Sequence, residues 1–173
     1  MPVNTADPTW LFEMTDPFEA KAAPVGLQAG AQRLGATLYE LGAGVRASPM
    51  HVHHGNEELL VVLAGNPTIR RRDGRERLEP GDVVSFRAGP EGAHRVENDG
   101  PDPARVLIVS TMSFPDVVEH VDSEKVMVIF GPPAAGGDLL AFRRDAAVHP
   151  LDGEEDIAPR DLGTGGDDGV HHG

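Results

Sequence analysis

Three histidines and one glutamate form the pattern in this sequence that could do chemistry. His51 and His53 are separated by one residue, Glu58 follows five residues after His53, and His94 comes about forty residues later. In a strand, the side chains of His51 and His53 would point to the same face, roughly 7 Å apart along the chain. Two imidazoles so placed can share one ion at ~2.0–2.2 Å each. A nearby carboxylate and a third histidine from a distant strand would complete a metal site.

The direction in which Glu58 points depends on a turn that interrupts the strand before it. Five residues is an odd spacing, so one unbroken strand would place Glu58 on the face opposite to His53. Gly55 and Asn56 are typical turn residues, which lets the chain reverse and return with Glu58 facing the histidines. Three nitrogen ligands and one oxygen ligand would leave open positions on an octahedral ion for water, dioxygen or a chelating substrate.

The alternative interpretation is that these histidines cap turns or lie at the surface. Three histidines in four residues, followed by paired glutamates, favour a metal site over that alternative. His54 is expected to face away from the site. Four further histidines have no partner pattern: His120, His149, His171 and His172.

A substrate pocket is assigned from position along the chain alone. The candidates are Tyr39, Met50 and Phe86. Ordinary core packing explains Tyr39 and Phe86 at least as well, and methionine is commonly a gap filler. Arg95 is a further candidate, although its position next to His94 favours a surface charge.

Composition narrows the classes of function. The chain has 173 residues, no cysteine and a formal net charge of -13. Without cysteine, thiolate metal sites are excluded. The acidic charge makes nucleic acids and anionic membranes unfavourable partners. No signal peptide and no run of 18 apolar residues are present, so we expect a cytoplasmic protein.

The pattern of apolar residues and turns predicts an all-β fold. Short apolar or alternating stretches begin at Arg33 and are separated by Gly, Pro, Asn and Asp clusters, which is typical of a sandwich or barrel. We expect an N-terminal arm over residues 1–30, a β-barrel over 31–131, a C-terminal extension over 132–151 and an acidic mobile tail over 152–173. Residues 139–144 could dock as a last strand or a helical turn.

Two stretches, 59–64 and 106–109, are almost continuously apolar, so both faces of these strands should be buried. The outer face then needs cover from the arm, a second sheet or a second subunit. A homodimer is the simplest prediction.

The sequence resembles the cupin superfamily. His51-Val52-His53, four residues, Glu58, six residues and Gly65 match its first motif, and Gly81, His94 and Asn98 match its second. Arg87 stands where proline is usual, and the loop 89–93 before His94 is longer than in the family pattern. The run from residue 34 to 125 is similar to small bacterial single-domain cupins. The resemblance implies a cupin-type double-stranded β-helix, or jelly-roll barrel.

The resemblance also implies one divalent transition metal per chain, Fe, Mn, Ni or Zn, held by His51, His53, Glu58 and His94. A metal-dependent enzyme acting on a small metabolite is the expected function, of dioxygenase, isomerase or lyase type. The alternative is a non-catalytic cupin that binds or senses a small ligand. Cupins carry many activities, so the fold does not choose between the two.

Overall fold

The computed structural model describes residues 2–13, 18, 20–132 and 136–154. The strands are β1 (Phe12–Glu13), β2 (Lys21–Ala23), β3 (Leu34–Leu41), β4 (His51–His53), β5 (Glu58–Ala64), β6 (Thr68–Arg70), β7 (Arg75–Arg77), β8 (Val83–Phe86), β9 (Arg95–Glu97), β10 (Ala104–Thr111), β11 (Asp116–His120), β12 (Lys125–Ile129) and β13 (Leu139–Arg143). The helical elements are α1 (Val25–Gln28) and short 3₁₀ turns at Pro90–Gly92 and Arg144–Ala146. Within the described part of the chain, no helix is long and apolar enough to cross a membrane.

Two layers of antiparallel strands form the body of the molecule. The first layer has the order β1-β2-β3-β10-β5-β8, and the second contains β13-β12-β11-β4 and β7-β6-β9. Bridges between His51 and His94 and between Arg46 and Glu97 join the two parts of the second layer. This arrangement confirms the predicted jelly-roll barrel.

The core lies between the layers because alternate side chains of each strand point inward. On β5, Leu60 and Val62 are almost fully buried, whereas Leu59 and Leu63, which flank them in the sequence, are each 40% exposed. Val106 of β10 joins the same inner cluster. The inner face of β5 therefore begins at Glu58 and continues as apolar core.

The N-terminal segment covers part of the outer face of the first layer. β2 pairs with β3, and Ala23, Val25 and Leu38 form a buried cluster against which Trp10 and Leu107 pack. This cover reaches β3 and β10 but leaves Leu59 and Leu63 of β5 exposed. The expected cover from the arm therefore accounts for one of the two outer apolar stretches.

The C-terminal segment adds an edge strand. Of the two forms expected for residues 139–144, the structure has the strand: β13 pairs with β12 over five residues. Most of the acidic tail predicted over 152–173 lies outside the described residues, which end at 154. The domain boundaries given above stay predictions.

Candidate metal centre

Strand β4 sends its two histidines into the barrel. Val52, between them, is 1% exposed and packs with Met50, Ala93 and Val121 in a separate cluster. Since successive side chains of a strand point to opposite faces, His51 and His53 lie on the other side of β4 from that cluster. The structure therefore does not bring Met50 to the histidines.

The turn before β5 aims Glu58 at the same space. Asn56 is buried, and its amide donates to the carbonyl of Ser113 at 3.0 Å. The side-chain oxygen of Asn56 accepts from the Ser113 amide at 2.8 Å and from the Thr111 hydroxyl at 3.0 Å. These bonds fasten the turn to the end of β10, so that β5 starts with Glu58 on its inner face.

His94 comes from the strand segment on the other side of β4. Its amide donates to the carbonyl of His51 at 2.9 Å, and the amide of His51 donates back at 3.0 Å. The imidazole of His94 stacks on the ring of Phe86, with centroids 3.6 Å apart and planes at 5°. Phe86 therefore supports a predicted ligand from behind, and Arg71 lies over Phe86 at 5.3 Å from its centroid.

The Nε2 atoms of the three histidines converge on one carboxylate oxygen. Glu58 Oε2 lies 3.9 Å from His51, 3.7 Å from His53 and 3.4 Å from His94. The ligand atoms of His51, His53 and Glu58 all lie within 4.8 Å of one another. Ligand atoms that share one ion at 2.0–2.2 Å are roughly 3–4 Å apart, so the spacing of these three residues suits a single ion. His94 lies outside this group, although its Nε2 is 3.4 Å from Glu58 Oε2.

Backbone carbonyls fix the tautomer of two of the histidines. His51 donates from Nδ1 to the carbonyl of Pro49, and His94 donates from Nδ1 to the carbonyl of Gly92, each at 2.9 Å. Each bond leaves the Nε2 lone pair free for an ion. Gly92 belongs to the long loop 89–93, so the departure of this loop from the family pattern contributes to the orientation of His94.

A buried carboxylate orients the third histidine. His53 donates from Nδ1 to Asp116 Oδ2 at 2.5 Å, and Asp116 Oδ1 accepts from the amide of Gly55 at 2.9 Å. Asp116 is 1% exposed. A carboxylate behind a ligating histidine is the usual outer partner of a metal site, because it fixes the ring and increases its basicity.

Two buried polar atoms without hydrogen-bond partners show whether the site suits a metal ion. Among the described residues, Glu58 Oε2 and His94 Nε2 are buried and have no hydrogen-bond partner. An unpaired buried carboxylate oxygen is costly, and a cation between it and the histidines would remove that cost. The donor set, three nitrogens and one oxygen, suits Fe, Mn, Ni or Zn. The residues present therefore fit the ion that the sequence predicts.

Burial keeps two of the three histidines of the site neutral. Burial lowers the pKa of His51 to about 3 and that of His94 to about 4, with the other histidines of the site adding to the effect. Both rings are therefore neutral near pH 7 and can offer a lone pair. Burial also opposes protonation of His53, but the hydrogen bond that His53 donates to Asp116 and the charges of Glu58 and Asp116 outweigh it and raise the pKa of His53.

The structure brings two residues to the site that the sequence did not single out. Asp116 is one of them. In the sequence, the only indication of its role is that an acidic residue begins strand β11. His120 is the other, because it is the cross-strand partner of His51 and its Nδ1 is buried without a hydrogen-bond partner among the described residues. His54 instead faces away, and its Nε2 donates to Glu119 Oε1 at 2.9 Å.

Tyr39, the remaining predicted pocket residue, packs against the inner core. Burial and the nearby Glu58 raise the pKa of Tyr39 to about 12, so its hydroxyl stays protonated. The charge of Glu58 therefore affects the hydroxyl of Tyr39, although this side chain lies in the core and does not line the cavity described below.

A cavity of about 450 Å³ opens beside the cluster. His53, Glu58 and Asp116 line its inner end, and its outer part lies between α1, the start of β3 and the end of β10. Its volume suits a small ligand rather than a macromolecule. Phe86 and Met50 do not line it.

The sequence over residues 37–110 matches the family model described as a cupin domain. The chain contains a cupin domain. This match spans β3 to β10, and so includes all four predicted ligands. No curated protein sequence matches the chain significantly.

Solved structures share the cupin fold. A sugar phosphate isomerase of the cupin superfamily from Silicibacter pomeroyi is 21% identical over 87% of this chain and 97% of its own, with a TM-score of 0.73. A protein from Acidithiobacillus ferrooxidans, named provisionally as a sugar phosphate isomerase, is 23% identical over 75% and 80%, with a TM-score of 0.66. The polyketide cyclase RemF from Streptomyces resistomycificus is 23% identical over 63% and 77%, with a TM-score of 0.52. At these identities the likeness shows the fold alone.

Proposed function

We propose that this cupin domain binds one divalent transition-metal ion through His51, His53, Glu58 and His94. We further propose that the domain is an enzyme that uses this ion to convert a small metabolite. The convergence of three Nε2 atoms on one unpaired oxygen of Glu58 carries the proposal. A purely structural cluster would leave that carboxylate oxygen unsatisfied at a cost in stability.

A bound ion would supply Lewis-acid chemistry, and iron would add reactions with dioxygen. The chain's own residues would orient the site: Asp116 holds His53, Gly92 holds His94, and Phe86 supports the ring of His94. Isomerase, lyase and dioxygenase reactions all fit this arrangement. That one neighbour of the same fold is a sugar phosphate isomerase supports the isomerase type.

A non-catalytic ligand-binding cupin is the second candidate. The observation in its favour is that Asp116, the other carboxylate of the cavity, is already bonded to His53 and Gly55. Among the described lining residues, no further carboxylate, histidine or lysine is available as a proton acceptor. Turnover of a bound ligand, or dioxygen uptake by the iron-loaded protein, separates the enzyme from the binding protein.

The first test is metal content, measured by mass spectrometry on the full chain after anaerobic reconstitution. His171→Ala/His172→Ala removes the terminal histidine pair, which could bind metal adventitiously. In that background, His51→Ala/His53→Ala should lose about one ion per chain, while His54→Ala, a neighbouring histidine on the other face, should retain it. Equal metal in the two variants, or no metal in the parent protein, would refute the site.

The homodimer expected from the sequence stays a prediction. The exposed strip of Leu59, Leu63 and Val83 on the outer face of β5 and β8 supports it. Light scattering of the native chain and of Leu59→Lys should give a dimer and a monomer, respectively. The cytoplasmic location also stays a prediction.

A further inference from the structure

The wall of the cavity beside Glu58 carries polar side chains, and a glycine in it leaves space for one of them. Ser110 of β10 is the cross-strand partner of Glu58 on one side and of Gly35 on the other. Cross-strand partners point to the same face, so the three residues form one row on the cavity side. A Cβ at Gly35 would lie 2.3 Å from Ser110 Oγ, so a larger residue there would force that hydroxyl to move.

Thr37 adds a second hydroxyl to this wall. It lies two residues after Gly35 on the same face of β3, and both Thr37 and Ser110 line the cavity. Within the described residues, neither hydroxyl is hydrogen-bonded to another protein group. Two hydroxyls in the cavity that Glu58 and His53 also line are suited to a ligand that presents adjacent hydroxyl or carbonyl oxygens.

The outer part of the cavity is apolar. Leu27 of α1 and Leu34 at the start of β3 are 47% and 57% exposed, and both line the cavity mouth. Met112, Phe114 and Ile129 complete that part of the wall. Large apolar side chains exposed together at a cavity mouth indicate that the ligand has an apolar portion.

Apart from the proposed metal ion at its inner end, the described part of the cavity wall offers no cation to a phosphate. None of the described lining residues is lysine or arginine, whereas Glu58 and Asp116 are both acids. Arg33, which lies between the lining residues Gln32 and Leu34, does not line the cavity. Outside the described residues the sequence contains one arginine, Arg160, and no lysine. A phosphate carries close to two negative charges at pH 7 and is normally bound by arginine, lysine or a helix N-terminus.

We infer that the ligand of this cavity is an uncharged molecule with adjacent oxygens at one end and an apolar group at the other, and that it is not a phosphorylated sugar. The part of this inference that concerns the oxygen-bearing end of the ligand, which would lie at Glu58 and His53, rests on the proposed function. The rest of the ligand class follows from the two hydroxyls, the apolar mouth and the charge of the wall. It separates this chain from its structural neighbours named for sugar phosphates.

The test is a binding panel of neutral vicinal diols and α-hydroxy ketones, each paired with its monophosphate ester. 1-Phenyl-1,2-ethanediol, which has an apolar ring, and glycerol, which has none, are its reference members. Dissociation constants come from ligand-observed NMR on the full chain, both metal-free and metal-loaded, with metal content measured on the same samples. Three variants accompany the native protein: Ser110→Ala, Thr37→Val and Gln32→Lys.

We expect neutral members with an apolar group to bind about tenfold or more tightly than their phosphates and than glycerol. Ser110→Ala and Thr37→Val should weaken that binding, and Gln32→Lys, which adds a cation at the mouth, should narrow the gap to the phosphates. Equal or tighter binding of the phosphates by the native chain would overturn the inference, and so would a panel with no binder. If the native chain holds no metal, the proposed function fails, whereas the preference measured on metal-free protein still decides the ligand class.

Discussion

The carboxylate of Asp116 offers the sharpest test of the site, through the substitution Asp116→Asn. This change keeps the size of the side chain but replaces one oxygen acceptor with an amide donor. In the native structure both oxygens accept, one from His53 Nδ1 at 2.5 Å and the other from the Gly55 amide at 2.9 Å. Asparagine can satisfy one of these donors and must direct its NH₂ group at the other.

The magnitude follows from the bond that is lost. A hydrogen bond to a charged group contributes about 1.5–3 kcal/mol, and 1.4 kcal/mol corresponds to a tenfold change in binding. Loss of orientation at His53 should therefore weaken metal binding roughly 10- to 100-fold, as for other outer partners of metal sites. Removing the negative charge should at the same time lower the pKa of His53, because Asp116 contributes to raising it.

Two measurements check these effects independently. Calorimetric titration with Zn²⁺, at a pH above the pKa of His53 in both proteins, gives the loss of affinity. Histidine NMR of the metal-free proteins gives the pKa of His53. Glu119→Gln is the matched control, because Glu119 is also on β11 and contacts a histidine, His54, that faces away from the site. An affinity within threefold of native for Asp116→Asn, or an equal loss in the control, would refute the reasoning.

Three further predictions concern the ligands and the backbone. His94→Ala should lose the metal yet retain a native far-UV circular dichroism spectrum, since one ligand is removed from a large apolar core; global unfolding would instead make His94 a structural residue. Metal affinity of the native chain should fall about tenfold per pH unit as the pH drops below the raised pKa of His53, because the ion needs the neutral ring; an affinity unchanged down to pH 4.5 would contradict this. Gly65→Ala should lower the free energy of unfolding by about 1 kcal/mol or more, because Gly65 has φ +72° and its Cβ would lie 2.5 Å from the carbonyl oxygen of Pro103. Gly74→Ala, where a Cβ meets nothing within 4 Å, should change it much less in the same denaturant titration.

The sequence by itself determined the strands and the face on which the histidines lie. Alternation of apolar and polar residues has a period of two, which predicted the all-β fold that the structure confirms. The same alternation places His51 and His53 on one face, and the turn at Gly55-Asn56 returns Glu58 to it. These are local properties, which depend on residues close together in the chain.

The tertiary structure alone decided what surrounds the ligands. Asp116 lies 63 residues from His53 in the sequence, and only the pairing of β11 with β4 brings their side chains together. The same pairing puts His120 beside His51, and Phe86 meets His94 because β8 pairs with β5 at Glu58. Met50 remains on the far side of β4 although it is adjacent to His51 in the chain.

The shape and charge of the cavity were decided in the same way. Its wall combines side chains from α1, β3, β5, β10 and β11, which are far apart in the sequence. No local pattern predicts that the described lining residues include no lysine or arginine, or that Gly35 lies opposite the hydroxyl of Ser110. A period of two fixes which face of a strand is buried, but which strands share that face is set by long-range pairing, and the chemistry of the site depends on both.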